Sequence, residues 1–140
     1  MLPHRRFSLD ELRYLGESDA GPSPIEHFLS ALGGCICILG SALAQKLGLD
    51  VRALEVEVEG ALDVRGFLAE DGVRSRFGTV RTRVKVTTRE AQERIYRLRE
   101  EFERRCPVTT MLEDAGTVLD SSWLAVPAPN RMPRAACRAQ

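Results

Sequence analysis

The chain has 140 residues, enough for one domain with a core of its own and too few for two. Its 20 Lys and Arg balance 20 Asp and Glu, with no basic stripe along any predicted element, so a nucleic-acid role has no electrostatic support. Four cysteines without a secretory leader ahead of them point to a reducing, cytoplasmic compartment.

Residues 1–20 are mixed in character, and Arg5-Arg-Phe-Ser-Leu predicts one edge strand. Gly21-Pro-Ser-Pro is the first clear punctuation. A helix follows, with Ser23 as N-cap, Pro24 in the first helical position and Glu26 completing a capping box. It should run to about Leu47, where Gly48 supplies the stop. Its segment 28–44 holds 17 uncharged residues, three glycines and two serines among them. A membrane span needs about 20 apolar residues. The segment therefore predicts a long central helix buried in a soluble protein or at a subunit interface, and no membrane partner.

Leu54-Glu-Val-Glu-Val-Glu-Gly60 and Thr79-Val-Arg-Thr-Arg-Val-Lys-Val86 both alternate strictly. Paired antiparallel, they would set an acidic row against a basic one, each cross-strand pair contributing about 0.2–1 kcal/mol. Asp71-Gly72 reads as the turn between them. A two-residue loop there would mix the two faces, so a bulge or a longer loop is expected within 62–78.

A second helix is predicted from near Thr88, capped by Thr87 and Glu90, with Ala91, Ile95, Leu98 and Phe102 forming one apolar stripe. Cys106 prolongs that stripe, and Pro107 ends the helix. Residues 117–126 read as a last strand. Residues 1–126 thus read as a single domain, and 127–140 as a disordered tail.

The chemistry rests on cysteines. On a helix Cys35 shares its face with Ala31, Leu32, Ile38 and Leu39, an apolar wall that alone favours an inert structural thiol. Cys37 lies about 200° away, among Gly33, Gly34, Gly40 and Ser41, where a second backbone could approach; Cys37 reads as filler. Cys106 becomes the N-cap of a short helix opened by Pro107, where free N–H groups and the dipole favour a thiolate, aided by Arg104 and Arg105. A core cysteine closing an apolar stripe is the competing reading. Cys137 reads as incidental. Cys35, Cys106 and His27 match no standard zinc spacing, and neither a metal nor a bound cofactor is expected.

The block Pro22-Ser-Pro-Ile-Glu-His-Phe-Leu-Ser-Ala-Leu-Gly-Gly-Cys35, joined to Gly48, an alternating strand and a distant Cys106-Pro-Val, resembles the OsmC/Ohr family of osmotically inducible and organic hydroperoxide resistance proteins. The resemblance spans about residues 21–126 and is nearer the general OsmC-like branch. It implies an α+β, OsmC-like fold with an antiparallel sheet, in which two chains interlock as a homodimer around the long helix, with active sites at their interface. It also implies that Cys35 attacks an organic hydroperoxide and that Cys106 resolves the sulfenic acid to a disulfide. An external dithiol such as lipoamide would then reduce that bond.

Two departures accompany the match. The peroxidases carry a glutamate ten positions before the reactive cysteine; here that position is Ile25, and Glu26 stands about 100° further round the helix. The arginine that would activate Cys35 is one of Arg5, Arg6 and Arg13. The alternative is an OsmC-like module that binds a small hydrophobic or electrophilic molecule without peroxidase turnover.

Overall fold

The computed structural model describes residue 18, residues 20–130 and residues 136–139. The predicted strand at residues 5–9, and with it Arg5, Arg6 and Arg13, lies outside the described residues.

Helix α1 spans Pro24–Lys46 and starts as its sequence dictates. The Ser23 hydroxyl accepts from the Glu26 backbone at 3.2 Å, and the Glu26 carboxylate accepts from the Ser23 backbone at 2.7 Å. Gly48, at φ +66°, takes the left-handed conformation that turns the chain after the helix.

Strands β1 (Val51–Gly60) and β2 (Thr79–Thr88) then pair antiparallel. The register opposes Glu55 to Lys85, Glu57 to Arg83 and Glu59 to Arg81, so the acidic and basic rows do meet. Lys85 reaches Glu55 at 3.3 Å and Arg81 reaches Glu59 at 3.4 Å. Arg83 turns instead to Asp120 on the neighbouring strand, at 3.0 Å. The long connection between β1 and β2 holds the one-turn helix α2 (Val64–Phe67), and Gly72 adopts φ +82° in the turn beyond it.

Helix α3 spans Gln92–Arg105 and begins later than the sequence pattern suggests. Thr88 and Glu90, expected in its first turn, are drawn to the start of β1. The Thr88 hydroxyl donates to the Asp50 carbonyl at 2.9 Å, and the Glu90 carboxylate accepts from the Asp50 backbone at 2.9 Å. Thr88 therefore stays in β2, and Ala91 becomes an N-cap without a side-chain bond. Helix α4 (Pro107–Asp114) follows directly, then strand β3 (Val118–Pro127).

The antiparallel sheet expected from the sequence is in fact mixed. β3 pairs parallel with β2, because α3 and α4 carry the chain back to the end from which β2 started. Residues expected as a disordered tail supply β4 (Ala136–Ala139), parallel to β1, which gives the order β3-β2-β1-β4. The reason lies in β1. Its outer edge offers unpaired backbone groups that four further residues can satisfy.

The core forms between the sheet and the helices. Leu54, Val56, Val80, Val84, Val86 and Trp123 face Leu32, Ile36 and Leu43 of α1 and Ile95, Leu98 and Phe102 of α3. Ala91, the first member of the predicted α3 stripe, is exposed. By length and composition α1 could cross a membrane, as core helices often could; here one side of it is packed on the sheet. Its burial is one-sided. Ala31, Ile38 and Ala42 stand exposed on the opposite side, Ile38 to 75%.

Candidate functional site: a thiol pair between α1 and the α3–α4 junction

Each cysteine of the pair is placed by a different element. Cys35 lies in the middle of α1, half-buried, where Leu32 and Ile36 of the same helix anchor one side in the core. Cys106 ends α3 and caps α4. Its backbone is extended (φ −76°, ψ 117°), as a residue before proline must be. Its N–H donates to the Phe102 carbonyl at 2.9 Å, and its own carbonyl accepts from the Thr110 backbone at 3.0 Å and the Thr110 hydroxyl at 2.6 Å. The junction is thus held from both helices. Phe102 is steadied in turn by Trp123, ring centroids 5.6 Å apart. Gln92 fastens the other end of α3 to β3, donating to the Trp123 carbonyl and accepting from the Ala125 backbone, each at 2.8 Å.

This scaffold brings Cys106, fully buried, against Cys35, and both thiols are unbridged. Burial pushes the Cys35 thiol above its ordinary value of 9.0. The nearby Cys106 adds to the rise, first by its charge and then through the hydrogen bond between the two side chains. Among the described residues no cation offsets this. The two arginines just upstream of Cys106 are turned to Glu101, Arg104 at 2.7 Å and Arg105 at 2.9 Å.

Glu26 stays in the α1 capping box, where the Ser23 backbone and then its hydroxyl lower the carboxyl pKa. Ile25 packs on the rim of the core. Among the described residues no group of three His, Cys, Asp or Glu side chains could hold a metal ion, so Cys35, Cys106 and His27 do not form one.

The sequence reading missed one pair. Cys37 and Cys137 form a disulfide that joins α1 to β4, with their Cα atoms 5.6 Å apart. The signal was present in the glycines around Cys37, which leave room for a strand. Without knowing that β4 exists, nothing pointed to Cys137. Beside this bond an open cleft of about 420 Å³ is lined by Ser41, Gln45, Gly48, Asp50, Arg52 and Cys137.

The family model for OsmC-like proteins matches residues 16–121, which include α1, the sheet through β2, both cysteines of the pair and α4. The chain belongs to the OsmC-like family. Solved structures agree with this OsmC-like assignment. A structural-genomics structure is 28% identical with a TM-score of 0.61, covering 79% of this chain and 77% of its own. The OsmC-like protein of Mycoplasma pneumoniae is 16% identical with a TM-score of 0.63, at 78% and 74% coverage. An organic hydroperoxide resistance protein OsmC from Legionella pneumophila is 15% identical with a TM-score of 0.63, at 86% and 80% coverage. The likeness to the last two is one of fold. No curated protein matches the chain.

Proposed function

We propose that this OsmC-like chain is a cytoplasmic, homodimeric thiol peroxidase acting on organic hydroperoxides. The observation that supports it best is the meeting of Cys35 and Cys106, two unbridged thiols from distant parts of the chain, one half-buried and one sealed behind it. In the proposed cycle the Cys35 thiolate attacks the distal peroxide oxygen. The S–O bond forms as the O–O bond breaks, and the alkoxide leaves as the alcohol once it takes a proton. Cys35 is then a sulfenic acid. The Cys106 sulfur attacks the Cys35 sulfur, a disulfide forms and water departs. An external dithiol of the lipoyl type restores both thiols by exchange. The cation that lowers the Cys35 barrier comes, in this proposal, from Arg5, Arg6 or Arg13. The exposed stripe of Ala31, Ile38 and Ala42, with Cys35 between its members, is the face on which a second copy docks.

A second reading has its own observation. Burial and Cys106 both keep the Cys35 proton in place, and the carboxylate at Glu26 is committed to a helix cap. A site of that kind suits a module that holds a small hydrophobic or electrophilic molecule without rapid turnover.

Peroxide consumption separates the two. Reduced protein is mixed with cumene hydroperoxide, and peroxide loss is followed alongside peptide mapping of the thiols. The peroxidase reading expects loss of the Cys35 and Cys106 thiols in wild type and no consumption in Cys35→Ser. Wild type consuming peroxide no faster than Cys35→Ser would leave the binding-module reading in possession.

A further inference from the structure

We infer that Cys37–Cys137 is a reversible redox latch, a modification site at which a dithiol controls whether β4 stays on the sheet. The inference is independent of what Cys35 and Cys106 do.

Three features carry it. The register sets Cys137 opposite Leu54, whose side chain points into the core. Side chains alternate along strands, so this register aims Cys137 toward α1, and a slip of one residue would aim it away. On α1, Cys37 faces the sheet and is buried, nearly opposite to Cys35 round the helix. The bond therefore fixes both the presence and the register of β4.

Second, among the described residues β4 is held by few partners. It contributes four residues, Ala136–Ala139, its pairing is with β1 alone and parallel, and it packs against α1. A ladder so short is marginal by itself. The disulfide links positions 100 apart in sequence, which in the chain-entropy account places it among the more effective kinds of cross-link.

Third, the two cysteines differ in exposure. Cys37 is 5% exposed, whereas Cys137 lies at the surface and forms part of the wall of the cleft lined by Gly48 and Arg52. In this proposal a dithiol enters by that cleft and meets Cys137 first. One of its thiolates attacks there, a mixed disulfide forms, and Cys37 leaves as a thiolate and gains a proton. The second thiol of the reagent, on losing its proton, then attacks its own partner sulfur and expels Cys137. The reagent departs as a cyclic disulfide and the protein has gained two thiols. Once reduced, β4 separates, and the edge of β1 from Ala53 to Val56 loses its neighbour.

The test uses the full chain carrying Cys35→Ser and Cys106→Ser, so that only the latch can respond, beside the wild type. Each is oxidised with oxidised dithiothreitol or reduced with dithiothreitol. Non-reducing peptide mapping should recover a Cys37–Cys137 cross-linked peptide from the oxidised form alone. Hydrogen exchange at 136–139 and at the β1 amides facing them should quicken about tenfold or more on reduction and slow again on re-oxidation. Cys137→Ser should show the fast exchange in both conditions, with the rest of the sheet protected. Recovery of Cys37 and Cys137 as separate thiols from oxidised protein would overturn the proposal. Equal protection of β4 in the two redox states would do the same.

Discussion

Cys35 and Cys106 meet side chain to side chain although one sits in the middle of α1 and the other at the α3–α4 junction. Burial is the main reason that the Cys35 thiol lies above its ordinary 9.0, and the Cys106 neighbour is the next. The proton-bound form is thus favoured in the fold. Its contribution to stability is complete below the ordinary value and disappears as pH rises through the raised one. Reactivity runs the other way, because the thiolate is the nucleophile. Removing Cys106 takes away one of the two causes. Cys106→Ser should therefore shift the iodoacetamide pH–rate curve of Cys35 toward lower pH, with a several-fold faster reaction at pH 8. Alkylation at Cys35, followed by mass spectrometry, measures it; a curve unmoved by the substitution would show that the thiols are not coupled.

The α1 cap gives a prediction that separates stability from thiol chemistry. Ser23 and Glu26 each satisfy one N-terminal backbone donor of the helix. Ser23→Ala should cost about 0.5–2 kcal/mol, read from urea denaturation at neutral pH. Glu26→Gln should lower the urea midpoint by less, since an amide oxygen can still accept. If Glu26 acts only as a cap, the rate of Cys35 alkylation stays the same in Glu26→Gln. A marked change in that rate would give the carboxylate a part in the thiol site.

Asp120 predicts a response to acid. It accepts from Arg83 and from Arg81, which bring its carboxyl from 3.8 to about 2. A carboxyl depressed in the fold stabilises at pH values above its ordinary titration, and the benefit is lost as pH falls through the depressed one. Stability should therefore decline between about pH 4 and pH 2, and Asp120→Asn should flatten part of that decline while lowering stability at pH 7. Because Asp120 is exposed, the change will be modest and weaker in high salt. Urea midpoints at pH 7, 4 and 2 test it, with the direct check that the Asp120 carboxyl resonance titrates near 2.

Local rules carried the sequence reading as far as local interactions reach. The Ser23–Glu26 box, the Gly48 stop, the alternation in β1 and β2 and the Cys106–Pro107 junction each involve neighbours in sequence, and each formed as written. The start of α3 did not, since Thr88 and Glu90 are engaged by Asp50, far away in the chain. The parallel placement of β3 depends on where α3 and α4 return the chain, which periodicity does not encode. For the same reason Cys137 looked incidental: a four-residue strand acquires meaning only from the edge it covers. The pairing of Cys35 with Cys106 came from a family resemblance; the local sequence alone left Cys35 as a core cysteine and Cys106 open between a helix-capping thiolate and a core cysteine.

Ile38 tests how the open side of α1 is covered. It is 75% exposed in the single chain, one turn from Cys35 and aligned with Ala31 and Ala42. An apolar stripe of this kind on a long helix is unusual for a monomer, and its centre is the proposed nucleophile. If a second copy docks there, Ile38→Glu would bury two uncompensated carboxylates across a symmetric contact, because each subunit presents the same patch. The dimer dissociation constant should rise about 100-fold or more, in line with the cost of an unpaired buried charge. In the lone chain the same substitution faces water, so the circular dichroism spectrum should be unchanged. Sedimentation at micromolar concentration reads the outcome: wild type as a dimer and Ile38→Glu as a folded monomer. A wild-type chain that sediments as a monomer leaves the Cys35 face open to solvent, and the homodimeric reading of the site falls with that result.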